Sequence, residues 1–146
     1  MTKVVVFDID GTLANIEHRR QYVATRPKNW VAFNAGMKYD AVHEDIADLA
    51  RNFAAQGYRI ILCSGRGSET REVTEQWLRD SNIPFERVYM RPERDYRKDS
   101  IVKVELLAQI RQWDGEPWLW FDDRNQVVDA IRAQGVRVLQ VAPGDF

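Results

Sequence analysis

Five short apolar runs punctuate the chain: Val4 to Phe7, Tyr58 to Cys63, Arg87 to Met90, Trp118 to Phe121 and Val136 to Val141. Each has the length of a strand, and most are continuously apolar and rich in branched or aromatic residues. Strands of that kind need cover on both faces. Patterns of helical period lie between the runs. Ala41 to Gln56 carries apolar residues at 42, 46, 49, 50 and 53, and Gly57 follows as a stop. Glu69 to Asp80 sets Val73 and Trp77 one turn apart, with Glu75 and Arg79 as a supporting pair. Ser100 to Trp113 carries Val102, Leu106, Ile110 and Trp113 as a stripe, and Asn125 to Gln134 carries Val127, Val128 and Ile131. The alternation predicts an α/β fold, a parallel sheet with helices on both sides.

A chain of 146 residues with 45% apolar content has room for one domain and one core. Lysine and arginine (21) nearly balance aspartate and glutamate (22), so no strong overall field favours a polyanion or a membrane surface. Any contact with nucleic acid has to be local. The single cysteine, Cys63, cannot form an internal disulfide, and the apolar run at Val4 to Phe7 is too short for a signal-peptide core. No run approaches the roughly 20 apolar residues that cross a bilayer. These features predict a cytoplasmic protein with no membrane partner.

The segment from Leu13 to Asp40 does not fit the alternation, being long and mixed in charge. It is expected to be an insertion that folds as a small helical lid at the sheet end where ligands of open α/β sheets bind. Trp30 and Phe33, one helical turn apart, are expected to form its own small core; stacking on a base is the alternative use of the pair.

Chemistry concentrates at the ends of the predicted strands. Asp8-Ile9-Asp10-Gly11-Thr12-Leu13 follows the first strand without a gap, and strand alternation sends Asp8 and Asp10 to the same side. Two such carboxylates need a cation or a proton between them, and hard oxygen ligands suit Mg²⁺ in the presence of a phosphate. Gly11 permits a sharp exit, and the Thr12 hydroxyl can bond a phosphate oxygen or the backbone. Asp122-Asp123 follows another strand in the same manner. In a parallel sheet both ends face one edge, and four carboxylates converging there without a metal would be costly. Ser64-Gly65-Arg66 ends a third strand and offers a hydroxyl, a loosened backbone and a cation, which together suit one phosphate group; helix capping by Ser64 is the alternative. Asp99 and Lys103 stand four residues apart at the start of a helix and so share a face, with Lys98 as a competing cation.

These elements in this order resemble the haloacid dehalogenase superfamily of phosphohydrolases, over the whole chain. More narrowly, Ser64-Gly65-Arg66, Arg97-Lys98-Asp99-x-x-Val102-Lys103, Phe121-Asp122-Asp123-Arg124-x-Gln126-Val127-Val128 and Gly144-Asp145-Phe146 resemble the 3'-phosphatase domain of phage polynucleotide kinase. The resemblance implies a three-layer Rossmann-like parallel sheet, with residues 1–146 as a single phosphatase domain and a cap-like insertion at about 14–40. It implies an enzyme in which Asp8 is the nucleophile and Asp10 the acid that protonates the leaving oxygen and later activates water. Mg²⁺ would be held by Asp8, the Asp10 backbone carbonyl and Asp122, with Asp123 alongside. Thr12, Ser64, Gly65 and Lys103 would hold the phosphate, and Arg19, Arg66 and Asp99 would face the substrate. The implied substrate is a phosphorylated nucleotide or oligonucleotide, with another small phosphoester such as a 5'-nucleotide as the alternative. No G-x-x-x-x-G-K-[ST] loop is present to serve a kinase half.

A signalling receiver also gathers acids, a hydroxyl and a lysine around Mg²⁺. Its acid pair belongs on the first strand and its phosphoacceptor on a middle one, whereas here the first strand carries D-x-D-G-T. A run of basic residues bears on the substrate: between 87 and 98, Arg87, Arg91, Arg94, Arg97 and Lys98 stand against Glu93 and Asp95, an excess of three positive charges. Such a run is expected to be a solvated face, and it would also suit a phosphodiester strand entering the site.

Overall fold

The structure is a computed structural model that describes residues 2–146. In chain order its strands are β1 (Val4–Phe7), β2 (Ala14–Asn15), β3 (Ala41–Val42), β4 (Arg59–Gly67), β5 (Arg87–Arg91), β6 (Pro117–Asp122) and β7 (Val138–Gln140). Its helices are α1 (Gln21–Ala24), α2 (Trp30–Ala35), α3 (Glu44–Ala55), α4 (Arg71–Asp80), α5 (Asp99–Trp113) and α6 (Asn125–Ala133). The five predicted strands form one parallel sheet in the order β5-β4-β1-β6-β7. By chain position that order is third, second, first, fourth, fifth. It is the dinucleotide-fold order, whereas a receiver places its first strand between the second and third. The receiver reading is thereby excluded. The order reverses between β1 and β6, and open sheets of this kind bind ligands in the crevice beyond the strand ends at such a reversal.

The continuous apolar character of β1 has the expected cause. Val5 and Phe7 face one core with Leu62, Ala47, Ala50, Trp77 and Leu78, beneath α3 and α4. Val4 and Val6 face a second core with Ile61, Leu106, Ile110, Val128 and Ile131, beneath α5 and α6. The stripe of α5 stops at Ile110. Trp113, expected to continue it, is 65% exposed.

The last strand is shorter than its pattern, at Val138–Gln140, and three other boundaries differ from the sequence pattern for physical reasons. β4 continues past Cys63 to Gly67, with a register shift against β5 between Ser64 and Gly67, so Ser64 to Arg66 sit on a bulge. α3 starts at Glu44 because Ala41 and Val42 pair antiparallel with Ala14 and Asn15. α4 starts at Arg71 after a 3₁₀ turn over Ser68–Thr70.

The β2–β3 ladder closes the neck of the 14–42 segment. Within it lie a 3₁₀ turn at Glu17–Arg19, α1, α2 and a second 3₁₀ turn at Met37–Tyr39. The expected small core is not formed, since neither helix contains a buried residue. Trp30 and Phe33 meet edge to face at 5.6 Å, but Trp30 is 54% exposed and Phe33 packs under the guanidinium of Arg19. Among the described residues no helix is long and apolar enough to cross a membrane.

Phe121 lies on the sheet seam, 4% exposed and stacked on Phe7. Phe121→Ala should cost about 3–5 kcal/mol of unfolding free energy, by lost transfer energy plus a cavity. A urea titration checks this: the midpoint should fall with the slope unchanged.

Candidate active site

The site begins with a coincidence of register. Phe7 pairs with Phe121, their rings stacked at 4.6 Å with 6° between planes, so the next residue of each strand leaves the sheet beside its neighbour. Those residues are Asp8 and Asp122. The Asp8 N–H donates to the Phe121 carbonyl at 2.9 Å, which keeps the strands together to the last residue. Asp123 joins them, and each of the three places a carboxylate oxygen within 4.8 Å of the others, all three residues buried.

Gly11 explains why the turn after Asp10 is glycine. Its φ is +82°, and a Cβ built there would collide with the Asp123 carboxylate. The Ile9 carbonyl accepts from the N–H groups of Thr12, Leu13 and Ala14, which tightens the same turn. The Thr12 hydroxyl donates to Asp8 Oδ2 at 3.2 Å, so it orients the carboxylate expected to be the nucleophile.

Lys103 reaches the cluster from α5. Its Nζ donates to Asp8 Oδ1 at 2.7 Å and to Asp122 Oδ2 at 2.9 Å, and the residue is 1% exposed. Asp99, one turn earlier, lies 4.0 Å from that ammonium and also pairs with Arg91 at 3.2 Å and Arg124 at 3.7 Å. Lys98 instead lines the outer wall of the cavity. Ser64, on the neighbouring strand, is buried, and its Oγ accepts from the Arg66 N–H at 3.0 Å, which leaves its own hydroxyl proton to donate. The Gly65 carbonyl accepts from Arg91 Nε at 2.9 Å, and a Cβ at Gly65 would strike the Asp99 carboxylate.

Electrostatics of the cluster favour a cation. Burial and the neighbouring Asp122 push the Asp8 carboxyl well above the usual carboxylate range, with Lys103 working the other way. The same causes push Asp123 up to about 6. Burial would lower the Lys103 ammonium, but Asp122 and Asp8 outweigh it and hold it above its ordinary value. With all three carboxylates ionised, one ammonium would leave two negative charges in a buried site. A divalent ion with oxygen ligands fits both that charge and that donor set. Burial pushes the Cys63 thiol up, which disfavours its thiolate form.

Asp10 stands in a different environment. Arg66 grips it from Nε (3.1 and 3.2 Å) and Nη2 (2.7 Å), and Arg19 Nη2 donates to its Oδ1 at 2.8 Å. Burial alone would raise this carboxyl, but the two guanidiniums hold it below the usual range. Arg19 is fully buried and Arg66 nearly so, and both turn their guanidiniums to acids of the protein. Asp40, not singled out in the sequence, receives both of them. No local pattern marks it; the one available signal is that two buried arginines require more than one carboxylate.

An open cavity of about 1100 Å³ lies over these residues, walled by Asp8, Asp10, Asp122 and Asp123 at its floor. Trp30, Lys28, Arg94, Tyr96, Lys98 and Phe146 line its sides. The basic run is divided by the fold. Arg87 pairs with Asp114, and Arg97 pairs with Asp95 and Glu105, whereas Arg94 and Lys98 have no carboxylate partner among the described residues.

Sheet order, paired acids at the reversal and the lysine between them define a phosphatase of the haloacid dehalogenase type. The model of the polynucleotide kinase PNKP phosphatase domain matches residues 2–146, and the chain belongs to that family. A chain of a solved Pnkp1/Rnl/Hen1 complex is 36% identical, with a TM-score of 0.85, over 100% of this chain and 48% of that one. A second, described as the Pnkp1/Rnl/Hen1 RNA repair complex, is 35% identical at the same TM-score, over 100% of this chain and 44% of that one. The class C acid phosphatase from Bacillus anthracis shares the fold at 20% identity and a TM-score of 0.67, over 98% of this chain and 67% of that one. The human phosphatidate phosphatase LPIN3 is 25% identical over 97% of this chain. This chain spans 18% of that relative's length.

Asp8→Asn replaces one charge of the buried cluster by a neutral amide of the same shape. In chelator it should melt above the parent protein, by about 2–4 °C for each kcal/mol of repulsion relieved. Differential scanning calorimetry of the two proteins measures this, and a lower Tm would show that the Lys103–Asp8 pair outweighs the repulsion.

Proposed function

We propose that this chain is a Mg²⁺-dependent phosphomonoesterase that works through an aspartyl-phosphate on Asp8 and removes 3'-phosphates from nucleic-acid ends or nucleotides. The observation that carries the chemistry is the buried cluster of Asp8, Asp122 and Asp123 around Lys103, with Asp10 held separately by two arginines. Two environments for the carboxylates of one motif suit two roles.

Asp8 attacks phosphorus: a bond forms between its oxygen and phosphorus, the bond from phosphorus to the sugar oxygen breaks, and Asp10 gives that oxygen a proton. Water then attacks phosphorus and yields a proton to Asp10, the bond to Asp8 breaks, and phosphate leaves. The arginines favour the ionised Asp10, the form that accepts the proton from water. Negative charge on an incoming phosphate opposes that ionisation and so helps Asp10 carry the proton for the first step. Lys103 and the Ser64 hydroxyl are the donors for the phosphoryl oxygens, whose charge needs preorganised partners. Mg²⁺, held by Asp8, the Asp10 backbone carbonyl and Asp122, with Asp123 alongside, would neutralise charge on the phosphoryl group.

The family supports a polynucleotide substrate, as does the solved RNA repair complex with a chain 35% identical to this one. The cavity adds physical support, being far larger than a phosphate. Lys28, Arg94 and Lys98 lack carboxylate partners on its walls among the described residues, and Trp30 is exposed there. Such cations bind a phosphodiester backbone in a salt-dependent manner, and an exposed indole can stack on a base.

Phosphate release from 3'- and 5'-phosphorylated forms of one short oligonucleotide, each at two salt concentrations, tests the substrate. The 3' form should be the faster, and its rate should fall with salt more steeply than that of a 3'-mononucleotide. Equal rates on both ends would indicate a general phosphatase. Asp8→Asn or excess chelator should abolish turnover.

The two lysines separate by position. Lys103→Ala should lower kcat about 10²- to 10³-fold, as for other fixed donors to a transition-state oxyanion. Lys98→Ala should act chiefly on kcat/KM for the oligonucleotide and reduce its salt slope by about one. Steady-state kinetics on an aryl phosphate and an oligonucleotide distinguish them, and a larger kcat loss in Lys98→Ala would reverse the assignment.

A further inference from the structure

Asp40 ends the lid-like part of the 14–42 segment, immediately before β3, and its carboxylate is fully buried. Its Oδ1 accepts from Arg19 Nε at 2.8 Å and lies 2.6 Å from His18 Nε2. Its Oδ2 accepts from Arg19 Nη2 at 2.8 Å and from Arg66 Nη2 at 3.1 Å. Its main-chain carbonyl accepts from the Trp77 indole N–H at 2.9 Å, which ties this point of the segment to α4.

The geometry of the forks makes the arrangement directional. Asp40 takes Nε and Nη2 of Arg19, and Nη2 has one further proton, which goes to Asp10 Oδ1 at 2.8 Å. Arg66 turns Nε and Nη2 to Asp10 and gives the remaining Nη2 proton to Asp40, while its Nη1 donates to Thr74 at 3.0 Å. A guanidinium is planar and rigid, so fixing one edge on a carboxylate aims the other. Two buried guanidiniums facing Asp10 alone would also be short of one negative charge.

We propose that Asp40 is a positioning residue for the proton-transfer step: by holding Arg19 and Arg66 it aims the Asp10 carboxyl at the oxygen that leaves phosphorus. This rests on the reading of Asp10 as the acid. It makes the 14–42 segment part of the proton-transfer machinery, since Arg19 and Asp40 both come from it.

The test uses the leaving group. A nitrophenolate departs without being protonated, whereas a sugar alkoxide does not, and a general acid contributes roughly 10²- to 10⁴-fold. The quantity to compare is kcat/KM, which reports formation of the phosphoenzyme and not its hydrolysis, on nitrophenyl phosphate and on a nucleotide. Asp40→Asn should lower kcat/KM on the nucleotide at least about tenfold more than on the aryl ester. Asp40→Glu keeps the charge that the buried arginines need and moves the oxygens by one methylene, so it tests the same point in a protein that retains its charge balance. It should show the same differential in smaller measure. Equal losses on both substrates in these variants, with a differential loss in Asp10→Asn, would overturn the role of Asp40 alone. Equal losses in Asp10→Asn would overturn the reading of Asp10, and the role of Asp40 with it.

Discussion

The register between β1 and β6 is the constraint on which the site depends. Because Phe7 stacks on Phe121, the chain cannot end those strands without setting Asp8 beside Asp122 at the reversal of strand order. Aligned aromatic rings and a ladder hydrogen bond hold in place two charges that repel. The apolar seam supplies the stability that the acid cluster lacks. Lys103 neutralises part of the charge from below, and the remainder is what a divalent cation would meet. The site is thus opposed electrostatically and rigid sterically, which suits the proposed binding of a metal and a phosphate together.

Much of this was legible in the sequence because it is local. A continuous apolar strand followed at once by D-x-D-G-T fixes which side the two acids take, since the pleat alternates every residue. The helical repeat does the same for Asp99 and Lys103. Asp122-Asp123 reads in the same way once the sheet is taken as parallel. In each case the residue that matters adjoins the element that aims it. Arg87 and Arg97 show where that reasoning stops: they belong to the same basic run as Arg94 and Lys98, yet the fold gives them to Asp114, Asp95 and Glu105.

Asp40 and Trp30 were not legible for a related reason. The partners of Asp40 are 21 and 26 residues away, in a 3₁₀ turn and on a strand bulge, and no period connects those positions. Trp30 and Phe33 do show a period, one turn apart, and the period suggested a core. Helices α1 and α2 touch each other but neither buries a residue, so no core closes between them; Phe33 found Arg19 and Trp30 stayed at the cavity wall. Periodicity identifies which residues share a face; it does not supply the surface that covers them.

The two halves of the D-x-D motif come to differ through what each part of the fold brings to them. Asp8 accepts from the Thr12 hydroxyl, but the charged groups around it are the acids at the end of β6 and one ammonium from α5, so its charge is opposed. Asp10, on the same side of the strand, extends one step further and meets the 14–42 segment and the bulge of β4, which offer two guanidiniums, so its charge is supported. A spacing of two residues is enough to move from one field into the other. The same step gives the segment's position its consequence: starting at Ala14, it returns Arg19 to Asp10 within nine residues, and Asp40 then closes the circuit before β3 and α3.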